Sequence, residues 1–460
     1  MNRILLPVLA TLLLLAACGS SPTPQSDPAP TVDPVIEAII SQALADTFAL
    51  DALRELCDEV GPRLAGSEGM RRAHAWGLRR LAEAGADTAW TEEVMAPRWE
   101  RGVEWARLTH PYDTPLPMLG LGRSIGTDGV PLEAEVLAVS DWDELEARQD
   151  EVAGKIVLFD PPWVHYGANV QYRAHAASRA AEYGAVAALI RPAGFGQNTP
   201  HTGVMRYADD QPRIPSASLS SEGAALIHRL SDQGVKPRVA LSMEAENFDD
   251  GPCANVLGDL RGRELPEEIV LIGGHLDAWD TGGGAHDDGG GCVIMVAALK
   301  VLNDLDLRPR RTIRVVLFTS EEYGGQGGDA YAEIHADEID HHVLALESDA
   351  GCFAPSGFSV KADSLTITEL APFAAPLAGL GADNVYPGWA GVDIGPLVEQ
   401  GVLGVGHRVH GEEYFRYHHA PSDVFEAVRP EDLAANVAAV AAFIYAVADY
   451  PHPLPQPKDD

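Results

Sequence analysis

The chain has 460 residues, 46% of them hydrophobic, enough for a large core and two or three domains. Its 68 acidic and 33 basic residues give a formal charge of −35. A surface that acidic repels a phosphate backbone, so no nucleic acid is expected as a partner; otherwise it reads as a strongly hydrated surface.

Residues 1–17 read as a signal peptide. Arg3 supplies a positive start, and the apolar run 4–17 is too short for an ordinary membrane span. The sequence Leu15-Ala16-Ala17-Cys18 resembles a bacterial lipobox, in which cleavage precedes the cysteine and the thiol is lipidated. The expectation is an exported lipoprotein, held to the outer (or cell) membrane only through a lipid on Cys18. A Ser/Pro/Thr-rich tether follows over 18–34, with nothing to bury. The four remaining cysteines, Cys57, Cys253, Cys292 and Cys352, allow three pairings, and buried thiols are as good a reading.

Residues 35–110 open the folded part of the chain. Apolar residues recur at helical spacing through Ile36, Ile39, Ile40, Leu44, Leu50 and Leu53. The break at 61–67 ends in Ser67-Glu68, a cap for a helix running to about Gly85. Short strands are predicted at 91–94 and 105–108. Over 111–247 the texture changes to turns and short β segments at 133–139, 155–159, 185–190 and 239–243, with helices near 171–183 and 221–233. The run Gly154-Lys155-Ile156-Val157-Leu158 resembles the protease-associated domain, a β-rich insert of exopeptidases. Its histidines, His165, His175, His201 and His228, lack the paired spacing of a metal site and are read as structural.

Residues 248–450 alternate strand and helix, which predicts a mixed, mostly parallel sheet flanked by helices. Strands are expected at 269–272, 312–318, 343–346 and 403–405. Helices are expected at 291–302, 329–336, 367–380 and 431–450, before a tail at 451–460. The first three strands run into His275, Glu321-Glu322 and Asp349. Separate parallel strands that deliver such residues at one end build a site there.

Hydrolysis of an amide needs an activated water, a polarised carbonyl and a proton carried to the leaving nitrogen. Two zinc ions roughly 3.5–4 Å apart supply the first two. They require a bridging carboxylate, a histidine and a further carboxylate on each metal, and one more carboxylate as base. His275, Asp287, Glu321, Glu322, Asp349 and a histidine from 417–423 make up that set.

The motifs GHLDAWD (274–280), GAHDDGGG (284–291), SEEYGGQGG (320–328), ESDAG (347–351) and YFRYHHAPSD (414–423) together resemble the di-zinc aminopeptidase and glutamate carboxypeptidase family of zinc-dependent exopeptidases, its carboxypeptidase Q branch above all. GPRLAGSEG (61–69), WERGVE (99–104), GLGRSIGT (120–127) and PHTGV (200–204) extend the resemblance over nearly the whole chain after the tether. It implies the zinc exopeptidase fold, two Zn2+ ions per chain and a homodimer. It further implies that Asp287 bridges the metals, that His275 and Asp349 complete one, and that Glu322 and His419 complete the other. Glu321 becomes the general base, and Asp277 the group that orients His275 through its far nitrogen. His418 stands where bacterial relatives carry an oxyanion-stabilising tyrosine, and its N–H suits the same task. His419 is preferred over His418 as ligand because it stands four residues before Asp423.

Asp288 reads as a helix cap, Asp280 as a loop carboxylate, and His286 as a residue with no assigned role, contact with substrate being the lesser reading. The glycines 282–284 read as backbone slack. The activity expected is hydrolysis of dipeptides or short peptides with free termini. The alternatives are an aminopeptidase acting on longer peptides and, in a different class, an inactive peptidase-like binding protein, against which the complete ligand set argues.

Overall fold

The computed structural model describes residues 33–455. The signal peptide, Cys18, nearly all of the tether and residues 456–460 lie outside the described residues.

One eight-stranded sheet carries the site. Its strands run in the order Thr88–Glu100, Glu246–Leu260, Arg311–Phe318, Leu265–His275, His342–Glu347, Gly404–Val409, Pro355–Val360, Val385–Pro387. The four central strands, from Arg311–Phe318 to Gly404–Val409, are mutually parallel. Their hydrophobic runs are buried on both faces, as the centre of an α/β sheet demands: every residue from Arg311 to Phe318 is buried. The helices Pro34–Ala45, Gly290–Asp304 and Pro430–Ala448 pack together in the core. Pro430–Ala448 is long and apolar enough to cross a membrane, but 67% of its apolar window is buried inside the protein.

The register decides where chemistry can occur. His275 pairs with Phe318, and Gly273 with Glu347. Three strands therefore end at one level, and Glu321, Glu322 and Asp349 stand in the loops just beyond it.

A second eight-stranded sheet runs Thr114–Leu116, Glu104–His110, Arg238–Met243, Leu132–Val139, Ile156–Phe159, Ala187–Ile190, Ser216–Leu219, Met118–Gly120. The helices Trp142–Ala147, Tyr166–Ala181 and Ser221–Asp232 accompany it. This unit begins at Glu104 and not at 111, because Glu104–His110 pairs with Arg238–Met243. The long strand Glu246–Leu260, which the sequence pattern did not single out, then returns the chain to the first sheet beside Thr88–Glu100. Ser67 accepts from the main-chain N–H of Met70, the cap expected for the helix Glu68–Glu83. Cys57, Cys253, Cys292 and Cys352 are all free and buried, so the thiol reading holds over the disulfide.

Candidate metal centre and catalytic pocket

His275 ends the central strand and is 1% exposed. Its Nε2 lies 3.3 Å from Asp287 Oδ1 and 3.7 Å from Asp349 Oδ1. On the other side, His419 Nε2 lies 2.9 Å from Glu322 Oε2 and 3.5 Å from Asp287 Oδ2. The two oxygens of Asp287 thus face two different histidines. Ligand atoms of His275, Asp287 and Asp349 form one compact triplet, and those of Asp287, His418 and His419 another. Glu322 approaches the second triplet through His419, so this half of the centre holds more donors than a single ion requires.

Several of these atoms are buried with no protein partner: His275 Nε2, Asp287 Oδ2 and Glu322 Oε1. Buried polar atoms are ordinarily satisfied, so such a cluster fits a cation between them. The charges agree. Burial alone would lower His275, but Asp287 and Asp349 outweigh it and raise it well above the usual histidine range. In the metal-free protein a proton thus sits where a cation is called for. His418 and His419 are driven the other way by burial, so both are neutral and keep a lone pair. Burial pushes Glu321 up to about 8 and Glu322 well above the carboxylate range.

Asp277 works differently from the sequence expectation. His275 Nδ1 donates to the main-chain carbonyl of Asp277 at 2.9 Å, while the Asp277 carboxylate is 3.8 Å away. That carboxylate instead accepts from the main-chain N–H groups of Glu321 (3.2 Å) and Glu322 (3.3 Å). It therefore fixes the turn that presents the candidate base and a candidate ligand. His418 and His419 stack, with ring centroids 3.6 Å apart, and His419 takes a left-handed backbone (φ +60°) that is uncommon for a residue with a Cβ.

The supporting groups lie within the quoted motifs but had no supporting role assigned there. The Asp423 carboxylate accepts from the main-chain N–H of His286 (2.7 Å) and Asp287 (3.1 Å). Arg63, fully buried, donates to the carbonyls of Leu276, Gly283 and Gly284. The glycine loop is consequently not slack: Gly284 has φ +57°, and a Cβ on Gly282 would stand 2.7 Å from the Asp423 carbonyl. Tyr414, within the YFRYHHAPSD motif, places its hydroxyl 3.5 Å from Asp349 Oδ1. Its place four residues before His418 was the one signal available for it.

Three secondary candidates are structural. Asp288 accepts from the N–H of Gly291 at the start of the helix Gly290–Asp304, and also from His275. Asp280 pairs with Arg101 through both oxygens. His286 does not reach the pocket: it stacks on Phe353, accepts from Cys352 N–H and reaches the Ala427 carbonyl. Of the insert histidines, His165 caps the helix Tyr166–Ala181, His201 faces the His418 carbonyl and His228 pairs with Asp160.

Asp287, Glu321, Glu322, Asp349, His418 and His419 all line one cavity of about 440 Å³. Tyr166, Arg173 and Val204 of the second sheet unit wall it together with Trp389 and Arg408 of the first.

Carboxypeptidase Q of Homo sapiens is 38% identical over 426 residues, 92% of this chain and 90% of that protein. Residues 255–444 also match the profile of peptidase family M28. The chain belongs to peptidase family M28. Carboxypeptidase Q of Xenopus laevis is likewise 38% identical, covering 92% of this chain and 91% of its own length. The crystal structure of a peptidase M28 precursor from Shewanella amazonensis SB2B superposes with a TM-score of 0.88 at 34% identity, over 92% of this chain and 98% of that one. A zinc aminopeptidase from Bacillus subtilis shares the fold, with a TM-score of 0.66 at 19% identity over 88% and 95% of the two chains. Like its carboxypeptidase Q relatives, this M28 chain is a zinc metallopeptidase of the exopeptidase class.

Proposed function

We propose that this M28 peptidase is a di-zinc enzyme that hydrolyses dipeptides and short peptides with free termini. The observation that carries the reading is the Asp287 carboxylate, whose two oxygens face His275 at 3.3 Å and His419 at 3.5 Å. A single carboxylate between two histidine-bearing clusters is what two close, like-charged ions need. His275 and Asp349 would hold one zinc together with Asp287, and Glu322 and His419 would hold the other.

Zinc, when bound, supplies a Lewis acid that polarises the scissile carbonyl and acidifies water. The remaining work belongs to the chain. Glu321, held by Asp277 through its main-chain N–H, accepts the proton of the attacking water at its carboxylate and returns it to the leaving nitrogen. His418 and Tyr414, both lining the cavity, supply N–H and O–H donors for the developing oxyanion. The walls contributed by the second sheet unit limit the length of peptide that enters, which favours short substrates over the long ones of the aminopeptidase alternative. That unit takes the role of a protease-associated insert. Export, a lipid on Cys18 and a homodimer complete the reading.

The test is a panel of unblocked and end-blocked dipeptides, assayed with and without chelator, on protein whose zinc content is measured. Chelator-sensitive cleavage of unblocked dipeptides at two zinc per chain is expected. Glu321→Gln should retain zinc and lose activity by about 10²–10⁴-fold, the usual worth of a general base. Unchanged turnover in that variant would remove Glu321 from the mechanism, and one zinc per fully active chain would remove the di-zinc reading.

A further inference from the structure

The helix Glu68–Glu83 packs on the strand Glu246–Leu260 beside a second cavity, of about 480 Å³, that shares no residue with the catalytic one. His74 stands on the helix and Cys253 on the strand, and both line this cavity. Cys253 Sγ lies 3.6 Å from His74 Nε2. As a hydrogen bond that contact is long. It is also the separation of two donors on one tetrahedral ion: bonds of about 2.3 Å to sulfur and about 2.05 Å to nitrogen set them about 3.5 Å apart. Among the described residues, no other cysteine sulfur contacts an imidazole.

The state of each group suits a metal ligand and not a nucleophile. Burial pushes His74 down to about 4, so its ring is neutral at ordinary pH and keeps a lone pair. Burial pushes the Cys253 thiol up, so it carries its proton until a cation replaces it. A reactive thiol needs the reverse, a thiolate beside an imidazolium. Thr319 holds the sulfur from another side, with its Oγ1 2.8 Å from Sγ. A hydroxyl there can donate to the thiolate that a metal creates, which supports the ligand. The charges of the cavity also favour a cation. Arg71 is neutralised by Glu68, whereas Glu93 has no ion-pair partner among the described residues.

We propose that Cys253 and His74 together bind a zinc ion, at a site apart from the catalytic centre. Binding exchanges the thiol proton for the ion; the proton goes to solvent, no group changes oxidation state, and cavity water completes the coordination. Thr319 is two residues from Glu321, so the site adjoins the turn that presents the candidate base. The proposal is independent of the di-zinc reading. The catalytic donors are nitrogen and oxygen alone, and failure of that reading would change the zinc count there without touching the sulfur site.

The experiment uses cadmium chloride as a spectroscopic stand-in for zinc. It is titrated into dialysed native protein while the ultraviolet sulfur-to-cadmium charge-transfer band is followed. Cadmium that exchanges into the catalytic centre gives no such band, because no sulfur ligand stands there. One equivalent per chain is expected, with affinity rising as pH rises, since a proton is released. Excess zinc should displace the band. Cys253→Ser, which keeps a partner for Thr319, should abolish it. His74→Gln should weaken cadmium binding by about 100-fold, at least the cost of losing an outer support. A native protein without the band overturns the proposal, as does a band that zinc fails to displace. A band that survives Cys253→Ser would place the ion on another cysteine and overturn it too. So would an affinity unchanged in His74→Gln, which would mean that a thiol by itself captures the ion.

Discussion

The Asp423 carboxylate receives the main-chain N–H of Asp287 at 3.1 Å, and so joins the loop of the paired histidines to the loop of the candidate bridge. One loop thus carries a candidate metal ligand and also aims another. Asp423→Ala should therefore weaken zinc binding by about 10–100-fold, the usual effect of losing such an outer support. Titration of the apoprotein with zinc against a competing chelator measures it.

The roles proposed for the paired histidines can be separated by mutation. His419→Ala should lower the zinc content from two per chain to one, because it removes the partner of Glu322. His418→Ala should keep both ions and reduce kcat by about 10²-fold, the scale of one oxyanion donor. Metal analysis together with steady-state kinetics distinguishes them; the opposite pattern would exchange the two roles.

Arg63 tests the frame of the glycine loop. Its guanidinium satisfies three carbonyls across a sequence separation of more than 200 residues. Arg63→Met removes the donor of the Leu276 and Gly283 carbonyls, at a cost of about 1–3 kcal/mol for each unsatisfied group, while Gly284 keeps the main-chain N–H of Gly289. Lysine, with a single compact head, cannot serve all three. Both variants should melt several degrees below the native protein in calorimetry, with Arg63→Met the lower.

Metal and pH act on stability together. In the metal-free protein burial pushes Glu321 up to about 8, and Glu347 and Asp423 up to about 7. An unfolded carboxylate titrates near 4. Burial also holds His201, His407, His418 and His419 neutral, which opposes the carboxylates below about pH 6.5, where unfolded histidines are charged. From about pH 6.5 to 8 the raised carboxylates act unopposed: the folded state binds more protons than the unfolded one, and stability falls as pH rises. The chelated protein should lose melting temperature from about pH 6.5 to 8. Zinc at 100 times its Kd should add about 2.7 kcal/mol and oppose that fall, since cations compensate the ionised carboxylates. A chelated protein that gains stability over this range would contradict the buried cluster.

Much of the centre was legible in the sequence because its donors lie just past strand ends. In a parallel sheet, strand ends share a level, so His275, Glu321-Glu322 and Asp349 had to meet once the strands were recognised. Asp277 was found for the right place and the wrong atom: its carbonyl orients His275 and its carboxylate holds the Glu321-Glu322 turn. Which atom of a residue faces a neighbour depends on backbone course, and motif spacing carries no record of it. The stacking of the His286 ring on Phe353 is of the same kind, since nothing local shows it.

By itself, then, the sequence determined the α/β class, the donor inventory and the membership of the site, because periodicity and strand-end position are local properties. The tertiary structure decided what is set between distant segments. It divided Asp287 between two histidines, began the insert at Glu104, turned the glycine loop from slack into a packed support on Arg63, and brought Arg173 of the insert against His419, 246 residues away. Those contacts depend on register and on the packing of two sheet units, which arise only when the whole chain has folded.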